Sequence, residues 1–324
     1  MMQHFLLSPK ARDLPVSRVA RMGEEESYAL FCQIRWQETD GQPFCPRCGA
    51  LEPYAITTRR KYKCRGCYHQ FSVTSGTIFA SRKLAFRDIL LALAIFVNGA
   101  KGVPALQLSR ELGVQYKTAF VLAHKIREAM ADYQAEISDL KGEVEVDGAY
   151  FGGHVRPNNR RLHRVDRRRK ENKSSKRRVV VVGRERRGRT FVVVKAREAD
   201  AVDTLRNRIE DGSVVFADEA AAWDDFHIEF DTRRINHNEA YSADGACTNS
   251  AESFFSRLRR AEVGVHHHIS GKYLAAYAGE MAWREDNRRA GNGAQLRGAT
   301  SLALAHGVSR TWKGYWQRKA SSER

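Results

Sequence analysis

The chain has 324 residues, enough for two or three domains, and carries 55 Lys and Arg against 38 Asp and Glu, a net charge of +17. That excess predicts a polyanionic partner. With no apolar run near the roughly eighteen residues that span a bilayer, and no signal-peptide pattern in the first residues, the sequence reads as a cytoplasmic protein with no membrane role. Six cysteines in such a chain point to metal or free thiols before disulfides.

A short helix is predicted over 24–34, with Tyr28, Leu30, Phe31 and Ile34 available for packing. It leads into Cys45-Pro46-Arg47-Cys48 and Cys64-Arg65-Gly66-Cys67, two C-x2-C knuckles separated by fifteen residues. A tetrahedral zinc ion needs two such thiolate pairs brought together by a hairpin, and four thiolates leave no open position for catalysis. A structural zinc ribbon is therefore expected, with Cys32 and Cys247 left over as ordinary buried thiols.

Helical patterns follow over 86–98, 104–112 and 116–133. The glycine turn at Gly113-Val114 and the basic start of the third helix read as a helix-turn-helix. In that reading Gln115, Tyr116, Lys117 and Thr118 face the groove of DNA, and Lys125 lies further along the same helix. A plain three-helix bundle is the rival.

The run from Glu143 to Asp147 alternates as a strand, with Glu143, Glu145 and Asp147 on one face and Val144 and Val146 on the other. It is expected to end at Asp147, where glycines turn the chain. Residues 154–178 then hold twelve Lys or Arg against Asp166 and Glu171, a solvated loop that could also clamp a phosphate backbone. A β-hairpin is predicted over 178–194, a helix over 199–210, and a buried strand over 212–218 that again ends on aspartate. A right-handed crossover makes that strand parallel to its neighbour. If the neighbour is the 143–147 strand, Asp147 and Asp218 finish at one edge. Next comes Thr248-Asn249-Ser250-Ala251-Glu252, which puts Asn249 and Glu252 on one helical face and also resembles a capping box. A last amphipathic helix is expected over 273–289, followed by a C-terminal tail with no assigned chemistry.

Two strand-end aspartates and a helix-borne carboxylate are the parts of a two-metal phosphoryl-transfer site, whose hard oxygen donors select magnesium or manganese over zinc. The cysteine knuckles, Val146-Asp147-Gly148-Ala149-Tyr150-Phe151-Gly152-Gly153, Phe216-Ala217-Asp218 and Thr248-Asn249-Ser250-Ala251-Glu252-Ser253-Phe254-Phe255 together resemble the ISXO-like insertion-sequence transposases of bacteria, over about residues 24–290. The resemblance implies a multidomain α+β chain: a helical segment (1–40), a zinc ribbon (41–76), a helix-turn-helix-like region (77–140), a ribonuclease-H-like α/β catalytic domain of the DDE type (141–292) and a tail (293–324). It implies Asp147 and Asp218 as the first two acidic ligands of catalytic Mg2+ or Mn2+, with Zn2+ structural. For the third ligand the choice lies between Glu252 and Asn249, and charge favours Glu252 with Asn249 as helper. Arg259 stands where the family tends to carry a lysine. Arginine can grip a phosphate in bidentate fashion but cannot donate a proton near neutral pH.

The expected activity is metal-dependent cleavage at the ends of an insertion sequence followed by strand transfer into target DNA. Arg257, Arg259, Arg260 and the basic loop would hold the backbone, in a homodimer or higher oligomer on DNA. The alternatives are a catalytically decayed zinc-ribbon and helix-turn-helix regulator, and a nuclease that hydrolyses without joining.

Overall fold

The structure, a computed structural model, describes residues 5–136, 139–153, 155, 157–158, 160–167, 169–186, 188–235 and 247–317. The chain divides into two compact units, one formed by Met1–Tyr133 with Asn287–Arg324 and the other by Gln134–Asp286. Among the described residues no helix is long and apolar enough to cross a membrane.

The first unit contains α1 (Val16–Arg21), α2 (Glu24–Arg35), a three-stranded antiparallel ribbon of β1 (Tyr54–Ile56), β2 (Lys61–Lys63) and β3 (Gln70–Phe71), then α3 (Phe86–Asn98), α4 (Ala105–Glu111) and α5 (Tyr116–Glu136). Helix α3 is apolar nearly all round because it packs against α1, α2 and a helix from the C-terminal end of the chain, α9 (Asn292–Ala305). The expected tail is therefore part of this core: Leu296, Ala299, Ala303 and Leu304 of α9 are all buried. Trp36, Tyr62 and Phe71 join α2 to the ribbon through edge-on and tilted ring contacts. Between α4 and α5 the chain turns at Gly113, whose φ of +64° is the left-handed conformation that glycine adopts without penalty.

The second unit is built on a five-stranded sheet of β4 (Glu143–Phe151), β5 (Arg178–Glu185), β6 (Thr190–Lys195), β7 (Val214–Asp218) and β8 (Asp231–Ile235), with spatial order β6-β5-β4-β7-β8. Strands β4, β5 and β6 pair antiparallel, whereas β7 and β8 join parallel to β4. Both faces are covered, which is why β5 carries four consecutive valines: Val179 and Val181 enter a core with α6 (Val202–Arg206) and Trp223, while Val180 and Val182 enter one with α7 (Asn249–Ala261) and α8 (Leu274–Asn287).

One expectation about β4 is corrected. The strand does not end at Asp147 but continues to Phe151, held by β5 through pairs such as Asp147 with Val182 and Phe151 with Arg178. Gly148 lies inside it. The turn falls at Gly152 and Gly153, with φ of +68° and +71°.

Candidate active site

What stops at Asp147 is the pairing of β4 with β7. The parallel register runs from Glu143 opposite Val214 to Val146 opposite Ala217, so Asp147 and Asp218 are the next residues on each strand and stand side by side where the two diverge. Asp218 is held by one carboxylate oxygen: Oδ1 accepts from the Trp223 indole Nε1 at 2.7 Å and from the Ala220 amide at 3.1 Å. Trp223 is fully buried, so the carboxylate is fixed by the core beneath it.

Asp147 is half-buried, and its Oδ1 accepts from the Gly148 amide at 2.7 Å. Burial pushes its carboxyl up to about 7 against that hydrogen bond, with further upward pressure from the charges of Asp218, Glu252 and Glu198. The same four groups thus share one field. Among the described residues only the ribbon cysteines bring three or more candidate ligand atoms within 4.8 Å of one another, so the three carboxylates do not all converge to within that distance.

Glu252 reaches this field from the exposed first turn of α7. That helix starts at Asn249, with Thr248 as N-cap and no side-chain capping bond, so the capping-box reading of Asn249 and Glu252 does not hold. The cap comes from the sheet. Glu145, only 1% exposed, accepts from the Ser250 amide at 2.6 Å and the Ala251 amide at 3.1 Å through Oε2. Its Oε1 takes the Arg186 Nε at 3.1 Å, and Arg186 in turn donates to the backbone oxygen and sulfur of Cys247. Cys247 is accordingly half-buried beside a guanidinium, not an ordinary core thiol, whereas Cys32 is buried and its thiol is pushed up to about 11 by that burial. A buried carboxylate on the helix N-terminus satisfies two orphan amides and opposes the helix dipole.

Glu145, Trp223 and Glu198 were not singled out from the sequence. Strand alternation did place Glu145 on the face of Asp147; what it lacked was any sign that a helix start would cover that face. Glu198 packs so closely on Gly148 that a Cβ there would lie 2.9 Å from its Cγ and Oε1, which explains a glycine inside the strand.

In the first unit the four cysteines converge: Cys45 to Cys67 sulfurs are 3.6 Å apart, and Cys48 lies 3.5 Å from both Cys64 and Cys67. Zinc–sulfur bonds of about 2.3 Å in a tetrahedron require sulfur separations of about 3.8 Å, so the donor set fits zinc with little adjustment. The amides of Cys67 and Gly66 donate to the Cys64 sulfur, which holds that thiol down at about 6 and favours the thiolate a metal needs.

Residues 139–286 match the ISXO2-like transposase domain, and residues 22–70 match the transposase zinc-ribbon domain. The chain therefore carries an ISXO2-like transposase domain preceded by a transposase zinc-ribbon domain. The transposase domain coincides within a few residues with the second compact unit, and the zinc-ribbon match takes in α2 as well as the cysteines. An uncharacterized protein in the transposable element ISH50 of Halobacterium salinarum is 27% identical over 132 residues, which cover 40% of this chain and 42% of the relative.

The other residues singled out from the sequence lie in differing surroundings. Gln115, Tyr116, Lys117 and Thr118 are all exposed at the start of α5. Lys125 turns inward and donates to the Ile78 carbonyl at 2.7 Å, its ammonium pKa lowered by burial. Arg257 pairs with Glu285, which is buried and also holds Arg184 at 2.9 Å; Arg184 donates to the Ser250 carbonyl. Arg257 is thus committed to holding α7 on α8. Arg259 and Arg260 are exposed, Arg260 donating to Ser256 Oγ at 2.6 Å. Of the basic loop over 154–178, His154, Arg156, Asn159 and Arg168 lie outside the described residues.

Proposed function

We propose that this transposase binds the ends of an insertion sequence and cleaves and rejoins DNA strands at Asp147, Asp218 and Glu252. The observation that carries the reading is the register of β4 and β7, which sets Asp147 beside Asp218 at the point where the strands part, with the Glu252 charge felt at Asp147. The strand order, with β4 central, antiparallel to β5 and parallel to β7, supports a ribonuclease-H-like catalytic domain. The turn at Gly113 supports a helix-turn-helix made by α4 and α5.

The donor set suits a hard divalent cation: three carboxylates, one of them pushed up by burial and then by its neighbours' charge, form a site in which added positive charge relieves repulsion. Asp147, Asp218 and Glu252 would hold Mg2+ or Mn2+. When bound, the metal would supply activation of the attacking oxygen and stabilisation of the leaving one.

The chain's own residues do the positioning. Trp223 fixes Asp218, β5 fixes Asp147, and Glu145 fixes the start of α7, so each of the three carboxylates is carried by an element anchored to the sheet. Glu252 carries a full charge where Asn249 offers a neutral carbonyl oxygen, so Glu252 is the third ligand and Asn249 its helper. Arg259 and Arg260, further along the exposed side of α7, meet the phosphate backbone as bidentate donors. Two DNA ends are joined by two or more copies of the chain.

The test is a strand-cleavage and strand-transfer assay on labelled duplexes of the element's own ends, with Mg2+ or Mn2+. Asp147→Ala, Asp218→Ala and Glu252→Gln each abolish both products if the reading holds, while Asn249→Ala retains some. Binding without cleavage under either metal identifies a regulator instead, and cleavage without joining identifies a nuclease.

A further inference from the structure

The C-terminal segment that sequence left without a role packs onto the start of α5. Trp312, 5% exposed, stacks on His124 with ring centroids 4.3 Å apart and planes at 22°, and meets Phe120 edge-on at 5.8 Å. That anchor presents Tyr315 and Trp316 next to the helix start. Trp316 is 45% exposed and lies 6.0 Å from Phe120, with the Lys117 ammonium 5.3 Å from its ring. Together with the loop over 78–84 these residues enclose a cleft of about 690 Å³, all within the first unit. Arg82, Lys83, Lys117, Lys125 and Lys313 line it, and no carboxylate does among the described residues.

We propose that this cleft takes one or two unpaired nucleotides of a DNA strand, with a base on Trp316 and its phosphates among the lysines. The proposal rests on the transposase reading only in that DNA is the partner. Its walls decide the form of DNA. A cleft of a few hundred Å³ is the size that encloses a small molecule, which excludes a whole duplex. A duplex offers such a cleft only phosphates, because its bases are stacked on one another. An exposed indole flanked by cations matches a base face and its backbone together. Arg82 is partly spent on Phe86, 3.4 Å from its ring, so the exposed Lys83 is the phosphate contact on the 78–84 loop.

The experiment uses the full zinc-loaded chain and fluorescence anisotropy with three probes: a duplex of the element's end, the same duplex carrying a short unpaired flap, and an oligo-dT strand. The wild type is expected to prefer the flapped duplex, and oligo-dT to quench tryptophan fluorescence. Trp316→Ala lowers the flap-over-duplex preference roughly tenfold, as expected for one lost base–aromatic stack, and Trp316→Phe restores part of it. Lys83→Ala weakens oligo-dT binding and flattens its salt dependence. Equal binding of flapped and perfect duplex by the wild type, or a preference unchanged in Trp316→Ala, overturns the proposal. Retained oligo-dT binding that depends on Trp316, with no binding to either duplex, supports the cleft and refutes the end-binding reading instead.

Discussion

Replacing Glu145 separates the chemistry of the proposed site from its support, because this carboxylate touches the helix that bears Glu252 and is not itself one of the proposed ligands. Its Oε2 accepts the Ser250 and Ala251 amides at 2.6 and 3.1 Å, and its Oε1 pairs with Arg186 at 3.1 Å. Hydrogen bonds to a charged group contribute about 1.5–3 kcal/mol each, and removing one partner of a buried ion pair costs about 3–5 kcal/mol. Glu145→Gln, which keeps the shape and one acceptor, is expected to cost about 3 kcal/mol, and Glu145→Ala more. If that loss falls on the first turn of α7, the Ser250 and Ala251 amides exchange with solvent roughly a hundredfold faster, since about 1.4 kcal/mol is a factor of ten. Hydrogen–deuterium exchange of the full chain, followed on peptides covering residues 247–261, reads this directly, with peptides from 45–71 as an internal reference. DNA cleavage falls in parallel, while the zinc content is unchanged. Unaltered exchange at 250 and 251 in Glu145→Gln would refute the idea that the sheet carboxylate fixes the helix start.

Other substitutions test other joints. Because the folded pKa of Asp147 is raised to about 7 from 3.8, the folded state holds this proton more tightly, and stability is lost as pH rises from about 4 through 7 in the metal-free chain. Asp147→Asn is therefore expected to stabilise metal-free protein by about 1–2 kcal/mol at pH 8, allowing for partial exposure, with no gain at pH 4; thermal melts at the two pH values decide it. Cys64→Ser is expected to lower bound zinc, measured by metal analysis, and to speed exchange across 45–71, because a structural site contributes its binding energy to folding. Gly183→Ala puts a Cβ 2.7 Å from Leu205 and 2.8 Å from Leu140, so urea denaturation should show a loss of about 1–3 kcal/mol.

Much of the second unit was legible because its signals are local: valine runs for strands, aspartates at the ends of apolar segments, periodicity for α7 and α8. Helix starts were not. Glu24 of α2 accepts the Phe86 and Arg87 amides at the start of α3, Glu145 does the same for α7, and Asp13 accepts the Gly293 amide at the start of α9. All three caps come from residues distant in sequence. The local pattern Asn249 to Glu252 looked like a capping box for that reason: the real partner is more than a hundred residues upstream. Asp147 was found but its strand was cut short, since a glycine after a carboxylate reads as a turn, whereas Gly148 is there to make room for Glu198.

The second unit interrupts the first: residues up to Tyr133 and those from Asn287 onward share one core. On the ribosome the order of synthesis therefore imposes an order of maturation. When the last strand and helix of the transposase domain have emerged, the zinc-ribbon unit still lacks α9, and the apolar surface of α3 that α9 covers stays open until residues 292–305 are made. A chain released before α9 is made has every carboxylate of the proposed site but an unfinished first unit, so the unit that begins first is the one that is completed last.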